Sequence, residues 1–330
     1  MTAYYGADPH HVLSDMVEMR SHGCTGIVFC ITEIDVDLFA GRIEAVIRHA
    51  GKEGLDVYIN FWGLGGCFAT NLMPSKYLCY NPDVCRTGFN PTVNIDTENN
   101  TATPRGCINN PKFLEWITAF TSKIISTYPA KGIFWDEPKH GYCRCAHCKE
   151  RFAEQFGRNM PQKVSGQVKT AFNADITRFL ITLFTNAKKT SPEIQNMLCL
   201  MPSTQKELGT RNLDRLLRCE ALNIYGTDPY WIMMNKNISW MRDEIRKTLA
   251  LCRKYGKNSH VWIQCHAIPQ DREGDVYESV MAAARCGPDI IASWGFKGLN
   301  NNNWSYNPEK CWEKIGKAYM EIRNKQKGRS

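Results

Sequence analysis

Two adjacent carboxylate side chains, Asp136 and Glu137, directly follow an apolar run of the sequence, residues 132–135. Burying a carboxylate without a partner is costly, so such a pair either caps a helix or forms an ion pair, or it performs acid–base chemistry. A third carboxylate, Asp228, follows another apolar run and is flanked by aromatic residues. If the two runs are strands of one parallel sheet, the three carboxylates lie at the same edge of that sheet.

Aromatic residues near these carboxylates indicate a ligand with flat apolar faces. Carboxylates among aromatic rings are typical of sugar hydrolysis, in which one carboxyl protonates the leaving oxygen and another meets the oxocarbenium-like centre. The predicted catalytic residues are therefore Glu137, Asp228 and Asp136. The predicted substrate-binding residues are Trp62, Glu33, Tyr225, Tyr230, Trp231, Gln264, His266 and Trp294. Each of these, taken alone, is more often a cap, an ion-pair partner or a core residue.

Three cysteines follow the acidic pair with the spacing C-x-C-x-x-C, namely Cys143, Cys145 and Cys148. A fourth thiolate would complete a closed tetrahedral Zn²⁺ site, which is structural because it leaves no open coordination position. The candidates for that ligand are Cys107, which is the nearest, Cys67, Cys79, Cys85 and His147. The other interpretation is a set of free thiols or a loop disulfide. The sequence predicts structural zinc and no organic cofactor.

The composition is that of a globular chain. Of 330 residues, 43% are hydrophobic and 22% are charged, and no apolar run approaches the roughly 18 residues that cross a bilayer. The formal net charge is +8, but basic residues are dispersed and only Lys325 to Arg329 form a basic run, so nucleic-acid binding is not expected. The N-terminal residues do not resemble a secretion signal, so we expect a cytoplasmic protein unless a leader has been trimmed. Assembly into a homo-oligomer stays open.

Short apolar segments alternate with amphipathic segments along the chain, which is the pattern of a parallel sheet covered by helices. The predicted strands are Thr2 to Gly6, Gly26 to Ile31, Val57 to Trp62, Gly132 to Asp136, Met197 to Met201, Ala221 to Tyr225, His260 to Cys265 and Asp289 to Ser293. Eight strands, each followed by a helix, predict a single-domain (β/α)8 TIM barrel over residues 1–330. An open doubly wound sheet usually has a glycine-rich phosphate turn after its first strand, and this chain has none.

One long segment, residues 64–110, interrupts the alternation after the third strand. It contains four cysteines and shows no helical period. A loop of this length in a compact domain is usually functional, and this one lies on the face where barrel active sites form. It ends at Asn110 and Pro111, a pair that predicts the start of the next helix.

The central part of the chain resembles glycoside hydrolase family 42 β-galactosidases and related clan A barrels. The resemblance rests on Arg105-Gly106-Cys107-Ile108-Asn109-Asn110-Pro111, on the acidic pair that ends the fourth strand, and on Cys143-x-Cys145-x-x-Cys148 followed by Lys149-Glu150-Arg151-Phe152. It covers about residues 104–156 at the level of motifs. The resemblance implies that Glu137 is the general acid/base and that Cys107, Cys143, Cys145 and Cys148 bind structural Zn²⁺.

The sequence departs from the family pattern at two places. Asp136 stands where the family has an asparagine, and the seventh strand ends in Gln264-Cys265-His266 without the family's nucleophilic glutamate. Asp228 is the best replacement, because the sixth strand neighbours the seventh. With Glu137 as the acid, Asp228 would be the nucleophile or the base: a carboxyl separation near about 5 Å implies retention, and about 6.5–9.5 Å implies inversion.

Two other interpretations stay open. In the first, which resembles some α-glycosidase barrels, Asp136 is the nucleophile, Asp228 is the acid, and Glu137 is a hydrogen-bonding neighbour. In the second, the barrel binds carbohydrate without hydrolysing it, because a fold does not fix a function. The prediction is a glycoside hydrolase that acts on an oligosaccharide or glycoside, with a carbohydrate-binding barrel as the alternative.

Overall fold

Eight parallel strands close into a barrel in a computed structural model that describes residues 1–4, 11–69, 75–89, 104–138, 141–298 and 303–328. The strands are β1 Thr2–Tyr4, β2 Gly26–Ile31, β3 Asp56–Phe61, β4 Gly132–Asp136, β5 Gln195–Cys199, β6 Ile224–Thr227, β7 Asn258–Gln264 and β8 Ile290–Trp294. Each strand pairs with the next, and β1 pairs with β8 through Thr2 and Ser293. The predicted TIM barrel is confirmed.

Helices follow the strands and surround the barrel. They are α1 Val12–Ser21, α2 Glu33–Leu38, α3 Ala40–Lys52, α4 Lys76–Tyr80, α5 Pro111–Thr127, α6 Ala146–Phe156, α7 Gly166–Thr190, α8 Pro202–Leu217, α9 Ile238–Tyr255, α10 Gly274–Cys286 and α11 Pro308–Lys327. The predicted start of α5 is confirmed, because the side chain of Asn110 accepts hydrogen bonds from the backbone N–H groups of Lys112 and Phe113. Within the described ranges, no helix has the length and apolar character needed to cross a bilayer.

Several predicted strand bounds differ from the observed ones by one or two residues, and the sixth strand differs most. The sixth strand begins at Ile224 instead of Ala221. The carbonyl of Ala221 accepts a hydrogen bond from the side-chain amide of Asn196. The side chain of Asn223 accepts a hydrogen bond from the backbone N–H of Asn196. Side chains therefore bind the backbone groups that the predicted strand would have used to pair with its neighbour. The segment 64–110 includes the short helix α4, so the expectation of no helix there is wrong; residues 70–74 and 90–103 lie outside the described part.

Side chains of the strands alternate between two cores. The outward-facing set, which includes Phe61, Trp135 and Tyr225, packs against the helices. The inward-facing set, which includes Phe134 and Trp262, fills the barrel. Because the period is two, the face on which a side chain lies follows directly from the strand register.

Inward-facing side chains of a (β/α)8 barrel stack in layers of four from alternate strands. Neighbouring strands are offset by about one residue along the barrel axis, so the observed register defines each layer. The layer nearest the C-terminal mouth contains Cys30, Asp136, Asp228 and Trp294. The layer beneath it includes Asn60, Cys199 and Trp262. Two carboxylates, from the ends of β4 and β6, are thus neighbours in one layer.

Close packing under this layer depends on a glycine. Gly226 pairs with His260 on the adjacent strand, and a Cβ at Gly226 would lie 2.4 Å from the imidazole of His260. The absence of a side chain lets the imidazole fill the interior below Asp228. The floor of the mouth is therefore closed and the carboxylates face the opening.

Candidate active site

Glu137 is the first residue after β4. Its φ of +35° is rare for a residue other than glycine. In continued strand geometry Glu137 would face outward, as Trp135 does, because side chains alternate. The turn at Glu137 instead places its half-buried carboxyl near Asp228, and the charge of Glu137 raises the pKa of Asp228. A sparsely populated backbone conformation at such a position is typical of a functional site.

Asp228 is the most deeply buried of the three carboxylates, with 2% of its surface exposed. Its Oδ1 has no hydrogen-bond partner among the residues that the structure describes. Burial raises the pKa of Asp228 well above its ordinary value, and the charge of Glu137, the hydrogen bond with it and the charge of Asp136 raise the pKa further. The raised pKa favours the protonated form of the Asp228 carboxyl.

Asp136 is held from below by an amide. Its Oδ2 accepts a hydrogen bond of 3.2 Å from Asn60 Nδ2, which also lies 3.5 Å from Cys30 Sγ. The Cys199 thiol lies beside Asp228 in the same way. Burial raises the pKa of this thiol, and the negative charge of Asp228 raises it further, so the thiol stays neutral. Sequence analysis missed Asn60 and Cys199; the signal that could have found them is the two-residue period of β3 and β5.

Three aromatic side chains predicted to bind substrate lie at the mouth. Trp62 stacks on Trp294, with ring centroids 5.3 Å apart and planes inclined by 22°. Tyr230 lies beside the carboxylates: burial, followed by the charge of Asp228, raises the pKa of its hydroxyl. Tyr230 is therefore a neutral hydrogen-bond donor next to an acidic group.

His266 joins Tyr230 on the other side of the mouth. Its ring lies edge-on to that of Tyr230 at 5.3 Å, and its Nδ1 lies 3.0 Å from the carbonyl oxygen of Trp294. A carbonyl only accepts, so Nδ1 carries the proton. Burial lowers the pKa of His266, which favours the neutral ring with Nε2 as an acceptor.

Two predicted substrate-binding residues face away from the mouth, and those predictions are wrong. Tyr225 is an outward-facing residue of β6 and lies fully buried in the core between barrel and helices. Trp231 donates through Nε1 to Ser279 on α10 at 2.9 Å, and the Arg272 guanidinium lies 5.1 Å from the centre of its ring. Strand parity explains the first error. The loop after β6 turns outward past Tyr230, which explains the second.

Gln264 lies where the seventh strand ends, but both polar groups of its side chain bind the protein's own backbone. Oε1 accepts from the N–H of Met233 and Nε2 donates to the carbonyl of His266, each at 3.0 Å. Gln264 therefore ties the loop after β6 to the loop after β7. This pairing does not support its predicted role in binding substrate directly.

Glu33, also predicted to bind substrate, anchors the long segment after β3. Its two carboxylate oxygens accept from the backbone N–H of Gly65 at 3.2 Å and of Tyr77 at 2.8 Å. Because Glu33 is buried, with 7% exposed, these bonds are shielded from water. The arrangement indicates a positioning role instead of substrate contact.

We expect Glu33→Gln to lower stability, because one carboxylate acceptor is replaced by an amide N–H₂ that faces a backbone donor. The cost of a lost charge-assisted bond with an unsatisfied donor is about 1–3 kcal/mol, which should lower the Tm by a few degrees in thermal unfolding. Glu115→Gln, on the exposed surface of α5, serves as the control and should leave the Tm unchanged. Equal Tm values for both variants and the wild type would contradict the anchoring role.

The four predicted metal ligands come together at one place. The Sγ atoms of Cys107, Cys143, Cys145 and Cys148 all lie within 4.8 Å of one another. Cys107 Sγ lies 3.5 Å from those of Cys145 and Cys148 and 3.8 Å from that of Cys143. Four thiolates around Zn²⁺ at about 2.3 Å in a tetrahedron are separated by about 3.8 Å, so the spacing fits a metal ion. The rivals Cys67, Cys79 and Cys85 are not part of this cluster.

The surroundings of the cluster suit thiolates. Cys143 Sγ accepts hydrogen bonds from the backbone N–H of Thr87 at 3.3 Å and of Cys145 at 3.5 Å. Asn109 Nδ2 lies 3.4 Å from Cys148 Sγ and 2.7 Å from an oxygen of Asp175 on α7. The side chains of Arg86 and Arg105 line the same small space. Donated hydrogen bonds and positive charge both favour sulfur in its ionised form.

Comparisons with known proteins give a likeness of fold. No family profile matches the chain, and no curated protein matches it in sequence. A β-galactosidase from the Antarctic haloarchaeon Halorubrum lacusprofundi is similar in structure, with a TM-score of 0.76, 11% identity, and 98% of this chain and 57% of that chain covered. A GH42 β-galactosidase from G. stearothermophilus has a TM-score of 0.72 at 12% identity, with 97% and 56% covered.

Other glycoside hydrolases share the fold. An endo-β-1,4-mannanase from Thermotoga petrophila has a TM-score of 0.60 and 10% identity, with 97% of this chain and 76% of that chain covered. The chain spans less than three-fifths of the length of the two β-galactosidases. The likeness shows the fold, a (β/α)8 barrel similar to the barrels of these glycoside hydrolases.

Proposed function

We propose that this protein is a glycoside hydrolase that cleaves O-glycosidic bonds with the carboxyl groups of Glu137, Asp228 and Asp136. The observation that carries the proposal is the convergence of three carboxyl groups at the mouth, where Asp136 and the buried Asp228 are neighbours in one layer of the barrel and the charge of Glu137 raises the pKa of Asp228. Two carboxyls that differ in proton affinity are what hydrolysis of a glycoside requires. The neighbouring fold relatives, which are β-galactosidases and a mannanase, support a carbohydrate substrate.

The difference in depth assigns roles to the pair. Glu137 is half-buried at the mouth, where a leaving group would depart, whereas Asp228 lies below it in the carboxylate layer. In this assignment Glu137 carries the proton and Asp228 is ionised when the substrate is bound. Glu137 then protonates the glycosidic oxygen as general acid, and Asp228 meets the anomeric carbon as nucleophile or base. Trp62, Trp294, Tyr230 and His266 would hold the sugar ring.

A second assignment uses the same three groups differently. Asp136 lies in the same layer as Asp228 and is fixed by the amide of Asn60, as a nucleophile needs to be. Asp228, protonated because it is buried, would then be the acid. Both assignments give hydrolysis. They differ in the nucleophile, which is Asp228 in the first and Asp136 in the second.

The thiolate cluster is proposed to hold structural Zn²⁺ through Cys107, Cys143, Cys145 and Cys148. With four thiolates bound, such an ion has no open position, so it supplies rigidity and no chemistry to the substrate. It would join the segment after β3, through Cys107, to the loop after β4, which also carries Glu137. A fixed carboxyl lowers an activation barrier more than a mobile one.

The test is hydrolysis of a panel of α- and β-linked 4-nitrophenyl glycosides, with galactosides, fucosides and mannosides included, by wild type and by Glu137→Gln. We expect turnover of at least one substrate by wild type and a loss of about a hundredfold or more in the variant, which is the usual contribution of a general acid. The anomeric configuration of the first product, read by NMR, reports retention or inversion.

The rival function is carbohydrate binding without hydrolysis, which the internally paired Gln264 at the end of β7 favours, since it replaces the family's glutamate. If wild type binds glycans but hydrolyses no substrate of the panel, the protein is a carbohydrate-binding barrel and the hydrolase proposal is wrong.

A further inference from the structure

Exposed apolar side chains concentrate at the mouth of the barrel. Most of the large hydrophobic side chains that are exposed in the described ranges lie in connections that lead from a strand to the next main helix, including Tyr80, Met233, Trp304 and Tyr306. Such connections emerge at the C-terminal face of a (β/α)8 barrel, where ligands bind. Apolar surface that is confined to one face of a protein indicates a binding surface.

Trp304 and Tyr306 are the most prominent of these side chains because they flank a fixed residue. They are 65% and 67% exposed, whereas Ser305 between them is fully buried. The hydroxyl of Ser305 donates to the carbonyl of Cys265 at 2.8 Å and accepts from the N–H of Ile268 at 3.1 Å. Its backbone N–H donates to the carbonyl of Gly298, and that of Tyr306 to the carbonyl of Ile268. The two exposed rings are thus presented by a pinned backbone.

The pinned backbone adjoins the carboxylate site. Cys265, which accepts from Ser305, lies between Gln264 and His266 in the chain, and its own N–H donates to the carbonyl of Trp294 at 2.8 Å. Trp294 belongs to the carboxylate layer at the mouth. The backbone that carries the two exposed rings is therefore joined through Cys265 to residues that would hold the reacting sugar.

Three cations of the segments after β7 and β8 are paired with carboxylates. Lys297 pairs with Glu18 at 2.9 Å, Lys310 with Glu273 at 3.2 Å, and Arg272 with Asp275 at 2.7 Å. A uronate or sulfated sugar would need a cation that is not already committed. The surface offers aromatic faces instead, and these pack against the C–H faces of neutral sugar rings through apolar contact.

We infer that Trp304 and Tyr306 form an outer subsite that stacks on a neutral sugar unit of an oligosaccharide whose reacting unit occupies the mouth. The inference rests on the proposed glycoside hydrolase function, and it adds that the substrate is longer than one ring. Binding energy from the outer ring holds the reacting ring in place, which benefits longer substrates and leaves simple aryl glycosides unaffected.

The experiment compares wild type with the double variant Trp304→Ala/Tyr306→Ala. Isothermal titration with β-1,4-linked galactotetraose, mannotetraose and cellotetraose measures binding without any need for turnover. We expect wild type to bind at least one of them. The double variant should bind that tetrasaccharide at least about tenfold more weakly, because it has lost two stacking contacts. Turnover of the best 4-nitrophenyl monoglycoside should change less than about twofold. Leu13→Ala, an exposed apolar residue on α1, is the matched control and should bind as wild type does.

The outcomes separate this inference from the proposed function. Binding that depends on the two rings, without hydrolysis of any substrate, supports the outer subsite and overturns the hydrolase. Equal tetrasaccharide affinity in wild type and double variant overturns the subsite, as does the failure of all three tetrasaccharides to bind wild type. A change of the double variant from dimer to monomer in sedimentation, with no change in sugar affinity, shows that the rings contact a second copy and also overturns the subsite.

Discussion

Replacing Asp228 by asparagine is expected to abolish hydrolysis while making the folded protein more stable. Loss of a group that acts only at the reacting centre should lower kcat by about a thousandfold or more. Stability should rise because the buried Asp228 carboxyl must keep a proton at a pH where the unfolded chain has released it, whereas asparagine needs no proton there. A few degrees of added Tm at neutral pH is the expected size, because each kcal/mol moves the Tm of a domain this long by about 2 °C.

The pH dependence of that added stability has a definite sign. Burial and the neighbouring carboxylates raise the pKa of Asp228 above its value in the unfolded chain. Between those two pKa values the folded protein retains a proton that the unfolded chain has released, so wild-type stability falls as pH rises through that window. Below about pH 4, where both states are protonated, Asp228→Asn should have no advantage. The difference in Tm should grow as pH increases from there.

Asp243→Asn is the matched control for Asp228→Asn. Asp243 lies on the exposed side of α9 and pairs only with Arg246, so its loss should change neither kcat nor Tm by a measurable amount. An Asp228→Asn variant with undiminished turnover would remove Asp228 from the reaction. A variant that loses stability equally at all pH values would contradict the buried, protonated carboxyl.

Azide rescue distinguishes the two assignments of the carboxylates. If Asp228 is the nucleophile, Asp228→Gly with azide should regain turnover and release a glycosyl azide of inverted configuration, because azide occupies the vacated side. If Asp136 is the nucleophile, Asp136→Gly should show this product instead, and Asp228→Gly should cleave only substrates with good leaving groups. Rescue of neither variant would remove both residues from the nucleophilic role.

The fold was predictable because barrel topology is encoded locally. Each strand is a short apolar run and six of the eleven helices in the described ranges begin at a side-chain cap, so the order of elements follows without any long-range information. The strand with the largest error, β6, shows what local patterns omit: the side chains of Asn196 and Asn223 bind backbone groups of residues 221 and 196 that a strand would have used. That contact joins segments far apart in the sequence, and apolar runs carry no trace of it.

The site was predictable in part. The carboxylates and the thiolates were identified because few structural roles require charged or ionisable groups in such clusters. Tyr225 and Trp231 were misassigned because an aromatic residue next to a carboxylate in the sequence can face either side of the sheet, and one residue of register decides which. Asn60 and Cys199 were overlooked because a lone amide or thiol inside a strand resembles ordinary core until the layers are known.

Replacing Cys145 by serine is expected to remove the metal and to lower both stability and activity. Serine is a poor ligand for Zn²⁺, and a closed four-thiolate site binds with a free energy that contributes directly to folding. Metal analysis of purified wild type should give one zinc per chain, and the variant should hold little. Loss of several kcal/mol should lower the Tm by about 10 °C, and kcat should fall about tenfold as the loop that carries Glu137 loosens.

Cys79→Ser is the informative control, because Cys79 lies in the same long segment, is exposed, and is outside the cluster. It should retain zinc, Tm and kcat, so a difference between the two variants reports the cluster and not cysteine loss in general. Cys148→Ser provides a second ligand variant, since Asn109 contacts Cys148 and links it through Asp175 to Arg151 and Arg178. The Tm of Cys148→Ser should fall at least as far as that of Cys145→Ser, because the hydrogen-bonded network of Asn109 and Asp175 loses its contact with the sulfur. Metal-free wild type with the Tm of the zinc-loaded protein would show that the thiols stabilise the loops without an ion.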